Sequence, residues 1–148
     1  MGLFKRTAAC LVGMALLFST AAAETTLHFT FAGDCTLGSE EAKRKQATSF
    51  DSFITEKGYD WPFANMQELF QSDDLTVVNL EGVLSDSNRN ENKDKTYRFR
   101  GPTAFVDILT RSGIDAVNLA NNHTQDFGKQ GYTATQETLT AAGVGYFG

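Results

Sequence analysis

The sequence has 148 residues, 41% hydrophobic and 21% charged, with 13 Lys+Arg against 18 Asp+Glu and a net charge of −5. This is a globular composition, and it excludes global disorder, collagen-like repeats and low complexity. An acidic chain without a basic stripe is also a poor match for nucleic acid or for an anionic membrane surface.

Lys5 and Arg6 precede an apolar stretch at residues 8–18, which runs into Ser19-Thr20-Ala21-Ala22-Ala23. A basic start, an apolar run too short to span a bilayer and a small-residue end form an export signal over residues 1–23. Cleavage is expected before Glu24, the alternative being a retained membrane anchor. Removing 23 residues from 148 leaves 125, with 11 Lys+Arg against 18 Asp+Glu, a charge of −7. Cys10 departs with the signal and Cys35 stays alone, so no disulfide within the chain is expected and stability must come from a core. The expected location is extracellular or at the cell envelope.

Residues 27–32 alternate apolar and polar and then meet Gly33-Asp34, which predicts a first strand. Residues 39–59 open with Glu40-Glu41-Ala42-Lys43-Arg44-Lys45 and read as a surface insertion holding a short helix, its charges on a solvated face. Pro62, with Asp60 ahead of it, suits the first turn of a helix in which Phe63, Met66, Leu69 and Phe70 recur at helical spacing. Residues 75–78 are a second apolar strand, ending in Asn79-Leu80-Glu81-Gly82. Residues 86–95 read as an exposed polar loop. A second helix over 103–112 places Phe105, Ile108 and Leu109 on one face, with Gly113 as its stop. Residues 116–120 form a third strand, ending in Asn121-Asn122-His123. A third helix over 129–142 stops at Gly143, and residues 144–148 begin a fourth strand. This alternation predicts an α/β fold with a mainly parallel sheet.

In open α/β sheets, ligands bind beyond the carboxyl ends of the strands, and adjacent strands lie about 5 Å apart. Asp34, Asn79 with Glu81, and Asn121-Asn122-His123 occupy equivalent positions after three successive strands. Carboxylates, an amide oxygen and an imidazole suit a divalent cation between Mg²⁺ and Zn²⁺. Each residue alone also fits a turn or a helix cap. His123 has two readings: a metal ligand, or a general acid that protonates a leaving oxygen. Asp126 either orients the His123 ring or caps the helix that begins near Lys129. Arg98 and Arg100 either bind an anionic substrate group or balance an acidic surface, with Arg100 the better functional candidate. His28 is structural and Cys35 a small packing residue. Asn122-His123-Thr124 also fits a glycosylation sequon, whose sugar would block the proposed site.

Three stretches resemble the bacterial capsule-synthesis (CapA, poly-γ-glutamate capsule) family: Phe31-Ala32-Gly33-Asp34, the segment at residues 74–82, and the segment at 118–128 around Asn121-Asn122-His123. Phe63-Ala64-Asn65 and the tail at 139–148 are similar to it as well, so the resemblance spans nearly all of residues 27–148. It implies the calcineurin-like metallophosphoesterase superfamily, an α/β sandwich with a two-metal centre at its strand ends. By position, Asp34 resembles the aspartate ligand of the first motif. Glu81, with Asn79, stands where a metal-bridging carboxylate is expected. Asn122 resembles the asparagine ligand of the third motif, and His123 the general acid beside it. In such a centre, two ions (Mn, Fe, Zn or Mg) activate water and clamp the attacking and leaving oxygens. Two departures matter. Thr36 occupies the position of the superfamily's first-motif histidine, and Asn79-Leu80-Glu81 replaces its Gly-Asp.

The expected function is an exported protein of capsule or poly-γ-glutamate biosynthesis or attachment, with a metal-dependent hydrolase or transferase site. Its partners would be an anionic polymer or phosphoester substrate and the capsule-synthesis machinery at the membrane. The alternatives are a non-catalytic polymer-binding or assembly protein, favoured by Thr36, and a secreted metallophosphodiesterase. The superfamily's later histidine ligands have no counterpart here, so residues 24–148 are expected to be the N-terminal half of a larger domain, inactive alone.

Overall fold

The computed structural model describes residues 24–148. The export-signal reading and Cys10 fall on residues 1–23, outside the described residues. The elements follow in the order β1 (Phe29–Cys35), β2 (Ser39–Glu40), α1 (Phe50–Lys57), α2 (Gln67–Ser72), β3 (Leu75–Leu80), β4 (Val83–Leu84), β5 (Phe99–Gly101), α3 (Val106–Ser112), β6 (Ala116–Asn118), α4 (Gly128–Ala142) and β7 (Gly145–Phe147). The main sheet has the order β1-β3-β6-β7, and every neighbouring pair in it is parallel. The α/β alternation read from the sequence is therefore the architecture.

Its centre is made by the two strands with the most continuous apolar character. Val77, Val78 and Leu80 of β3 and Val117 of β6 are buried, as expected for parallel strands covered on both faces. Ile108 and Leu109 of α3 and Leu139 of α4, all fully buried, complete the core with them. β1 and β7 are the edges. There Phe31 remains 71% exposed and Phe29 and Phe147 each 53%, so the alternation in β1 marks a strand without a covered face. Among the described residues, no helix is long and apolar enough to cross a membrane.

Local signals explain most helix ends. Ser49 caps α1 by accepting from the Ser52 amide at 3.1 Å. Gly113 and Gly143 end α3 and α4 in left-handed conformation, as the sequence predicts. The helix expected from Pro62 is displaced. Residues 61–66 form successive turns, with Ala64 N–H donating to Trp61 O and Met66 N–H to Phe63 O, and α2 starts only at Gln67. The turns bring the Phe63 ring to 5.7 Å from that of Phe70, which the core buries, so packing outweighs the helical spacing there.

Residues 39–59 also differ from the solvated insertion expected. They contribute β2 to a second sheet of order β2-β5-β4, with strands too short to leave a pattern in the sequence. Two of the five charges in the run, Glu41 and Arg44, turn inward. Arg44 binds Asp51 at 2.5 Å, and Glu41 receives Arg100 at 2.8 Å.

Asp86 joins the segments that follow the neighbouring strands β4 and β5. Its carboxylate accepts from the Thr103 amide at 3.0 Å and from the Thr103 hydroxyl at 2.7 Å, at the turn that leads into α3. The Thr103 hydroxyl, then its amide, hold the Asp86 carboxyl below the ordinary value of 3.8. A carboxyl depressed in the folded state adds stability above its unfolded value and loses it as pH falls through the folded one. Asp86→Ala is therefore expected to lower stability by about 1 kcal/mol at neutral pH, a typical cap or exposed hydrogen-bond effect. The difference from wild type should close below pH 3.8, measured by urea unfolding at several pH values.

Candidate strand-end site

The sheet register brings the predicted residues together. Asp34 of β1 pairs with Asn79 of β3, and Asn79 pairs with Asn118 of β6. In parallel strands such neighbours project from the same face, and Glu81, two residues after Asn79, continues that face. Glu81 N–H donates to Cys35 O at 3.1 Å, which holds the end of β3 against β1.

An amide chain runs across the three strands. Asn79 Nδ2 donates to Asp34 Oδ1 at 2.7 Å. Because a carboxylate only accepts, this orientation turns Asn79 Oδ1 the other way, where it accepts from Asn118 Nδ2 at 2.9 Å and Asn121 Nδ2 at 3.1 Å. The carbonyl oxygens of those two amides then face backbone donors, Ala120 N–H at 3.1 Å and His123 N–H at 2.9 Å. Asn121 also donates to Leu80 O at 2.9 Å. Asn79 and Asn121 thus serve as the framework that aims Asp34 and the His123 backbone. Asn118, absent from the sequence-based candidates, is the middle of that framework. Its signal was an Asn inside the apolar run Ala-Val-Asn-Leu-Ala, where strand propensity disfavours it.

His123 is nearly buried, and its ring lies 4.7 Å from that of Phe99. Gly82 permits this approach: its φ is +110°, and a Cβ there would meet Phe99 Cβ at 2.9 Å. His123 Nδ1 is 2.7 Å from Asp126 Oδ2, and Nε2 is 3.5 Å from Glu81 Oε1. Asp126, fully buried, also accepts from Phe99 N–H at 2.8 Å and from the Lys95 ammonium at 2.6 Å. Its partners are all donors, so Nδ1 carries the ring proton toward Asp126 and Nε2 is presented beside Glu81. The Asp126 carboxylate is bonded to the His123 ring and does not cap α4. α4 starts without a side-chain cap, and the residue before it is Phe127. Asn122 presents an exposed side chain at the rim, with its carbonyl held by Lys95.

Other candidates lie apart. Arg100 is buried, with its guanidinium on Glu41 and on Ser85 O and its Cζ 5.7 Å from the centroid of the Phe127 ring. The expectation that it binds substrate or balances the surface is corrected: it ties the small sheet to the 41–51 segment. The Cys35 thiol is pushed up to about 12 by burial, which fits a packing role. The loop at 86–95, read as merely exposed, reaches the site through Lys95, for which the sequence held no signal.

The donor chemistry suits a hard divalent cation: carboxylates at Asp34 and Glu81 and an amide oxygen at Asn122. Asn79 fits less well as a ligand, because its oxygen already accepts from two amides. Among the described residues, no group of three or more His, Cys, Asp or Glu closes on a common point.

The family described as Bacterial capsule synthesis protein PGA_cap matches residues 28–148, the whole sheet and its strand-end residues. The chain belongs to this family. This PGA_cap chain is 26% identical over 129 residues to the "PGA biosynthesis protein CapA" of Bacillus subtilis (strain 168), covering 83% of the chain. It is 26% identical over 97 residues to the "Capsule biosynthesis protein CapA" of Bacillus anthracis, covering 64% of the chain. It spans only 31% and 24% of the lengths of these two relatives.

Proposed function

We propose that this PGA_cap protein acts in the synthesis or attachment of an anionic capsule polymer of the poly-γ-glutamate type, through a metal-dependent hydrolase or transferase site at its strand ends. The observation that carries the reading is the cross-strand chain from Asp34 through Asn79 to Asn121, which sets His123 beside Glu81. The name of the Bacillus subtilis relative supplies the polymer, and that of the Bacillus anthracis relative the capsule. The basic, apolar and small-residue pattern of residues 1–23 supports export to the envelope, where such a polymer is handled.

In this reading Asp34, Glu81 and Asn122 hold one or two divalent ions. A bound ion supplies a Lewis acid for an anionic substrate oxygen. Asn79, Asn118 and Asn121 keep Asp34 and the His123 loop in register, and His123, in its imidazolium form, gives its Nε2 proton to the leaving oxygen of the substrate and returns to the neutral ring protonated at Nδ1. The test is metal content of the purified chain after equilibration with Mn²⁺ and Zn²⁺, with Asp34→Ala and Asn122→Ala alongside. Near-stoichiometric metal in the wild type that falls at least tenfold in both variants is expected. Unchanged metal in both variants would remove the site.

A second reading, a non-catalytic polymer-binding or assembly protein, draws on Asn79. Its oxygen is taken up in the amide chain at the position where a ligand is expected. Complementation of a capsule-deficient strain with the His123→Ala gene separates the two: no capsule supports the catalytic reading, and full rescue supports the binding one.

A further inference from the structure

Lys95 lies in a polar loop that the sequence assigns to solvent, yet its ammonium reaches the innermost carboxylate of the strand-end cluster. It binds Asp126 Oδ1 at 2.6 Å and also donates to the backbone carbonyl of Asn122. Asp126 has no solvent exposure, while the Lys95 side chain keeps 30%. One cation therefore spans two neighbours of His123: the carboxylate that holds its Nδ1, and the peptide unit that leads into it. The loop is fastened beside this contact at other points. Asn92 N–H donates to Asp126 O at 2.8 Å, Asn90 Nδ2 to Gln130 Oε1 at 3.1 Å, and Arg98 pairs with Glu91 at 2.8 Å.

We propose that Lys95 is a positioning residue of this site, which fixes the rotation and tautomer of the His123 ring by clamping Asp126 and fixes the Asn122 backbone by its second bond. The inference rests on the reading of His123 as the proton-transferring group. The physical argument is one of donor count. Asp126 Oδ2 serves both Phe99 N–H and His123 Nδ1, and Lys95 holds Oδ1, so the carboxylate plane cannot turn without losing a charge-assisted bond. A carboxylate locked in that plane leaves one rotamer and one tautomer for the imidazole that donates to it. Without the ammonium, Oδ1 is a buried acceptor lacking its cationic partner, and the carboxylate is free to rotate toward other donors.

The test is nitrogen-15 NMR of the histidine rings in the full chain, without metal or substrate. The chain has two histidines, and exposed His28 is the internal reference. In the wild type, His123 should show one protonated and one bare nitrogen, and His28 averaged values. Lys95→Met is expected to collapse the His123 pattern toward that of His28. Lys95→Arg, which keeps a cation able to reach Asp126, should restore it. Asn90→Ala releases the loop from Gln130 without touching Asp126, and should leave the ring unchanged.

An unchanged His123 pattern in Lys95→Met overturns the proposal. So does an equal collapse in Asn90→Ala, which would make the loop a clasp and nothing more. Should Lys95→Met fail to fold, the wild-type chain still decides: a hydrogen-bonded Lys95 ammonium exchanges its protons slowly and is visible beside the rapidly exchanging lysines, and a rapidly exchanging Lys95 overturns the clamp. These readouts need no metal. Metal content unchanged by Asp34→Ala would remove the metal site and leave the ring result standing, whereas an unmoved ring would remove the clamp with metal uptake intact.

Discussion

Asp126→Ala is expected to lower the unfolding free energy by about 3 kcal/mol, the low end of what breaking a buried charged network costs. The carboxylate is fully buried, and its removal strands three donors together: the His123 ring, Phe99 N–H and the Lys95 ammonium. Lys95, partly exposed, can turn to water, which keeps the cost from the upper end. Asp126→Asn should recover less than half of the loss, because an amide offers one acceptor oxygen where the donors need two. Urea unfolding at neutral pH measures both. A change within about 0.5 kcal/mol of wild type, the range of an ordinary surface substitution, would contradict the network.

Gly101→Ala is expected to be as damaging for a steric reason. A Cβ at Gly101 would lie 2.1 Å from Leu37 O and 3.0 Å from the Phe105 ring. Leu37 precedes β2, which pairs with β5 at Ser39 and Glu40, so the backbone cannot retreat without parting the small sheet. Overpacking against backbone costs about 1–3 kcal/mol, and more where neither side can move. The loss should extend to Arg100, whose bonds to Glu41 and Ser85 O depend on the same strand. A thermal melt indistinguishable from wild type would show that the segment at Leu37 yields freely.

The contrast between the two sheets shows what was legible in the sequence. β3 and β6 announce themselves as apolar runs, and Gly113 and Gly143 end their helices where a left-handed residue is needed. The small sheet left no trace, because strands of two or three residues are held by contacts rather than by periodicity. Those contacts turned Glu41, Arg44 and Arg100 from presumed surface charges into a partly buried network. The helix expected at Pro62 failed for a related reason, since seating Phe63 against Phe70 favoured turns over a regular helix.

The site divides in the same way. The sequence by itself determined which chemistry gathers at the strand ends, because a parallel α/β chain must present the residues after each strand at one edge of the sheet. Asp34, Asn79, Glu81 and the Asn121-Asn122-His123 segment follow from that rule. Only the tertiary structure decided their partners. Whether an asparagine oxygen faces a cation or another amide depends on the register between strands, and Asn118 next to Asn79 supplies an amide. Whether Asp126 caps a helix or orients an imidazole depends on which donors surround it, and His123, Phe99 and Lys95 come from segments far apart in the chain or across a turn. Local sequence encodes hydrogen-bonding capacity, but partners are chosen by long-range packing, which at this site gives Asn79 two amides and Asp126 an imidazole, a backbone N–H and an ammonium.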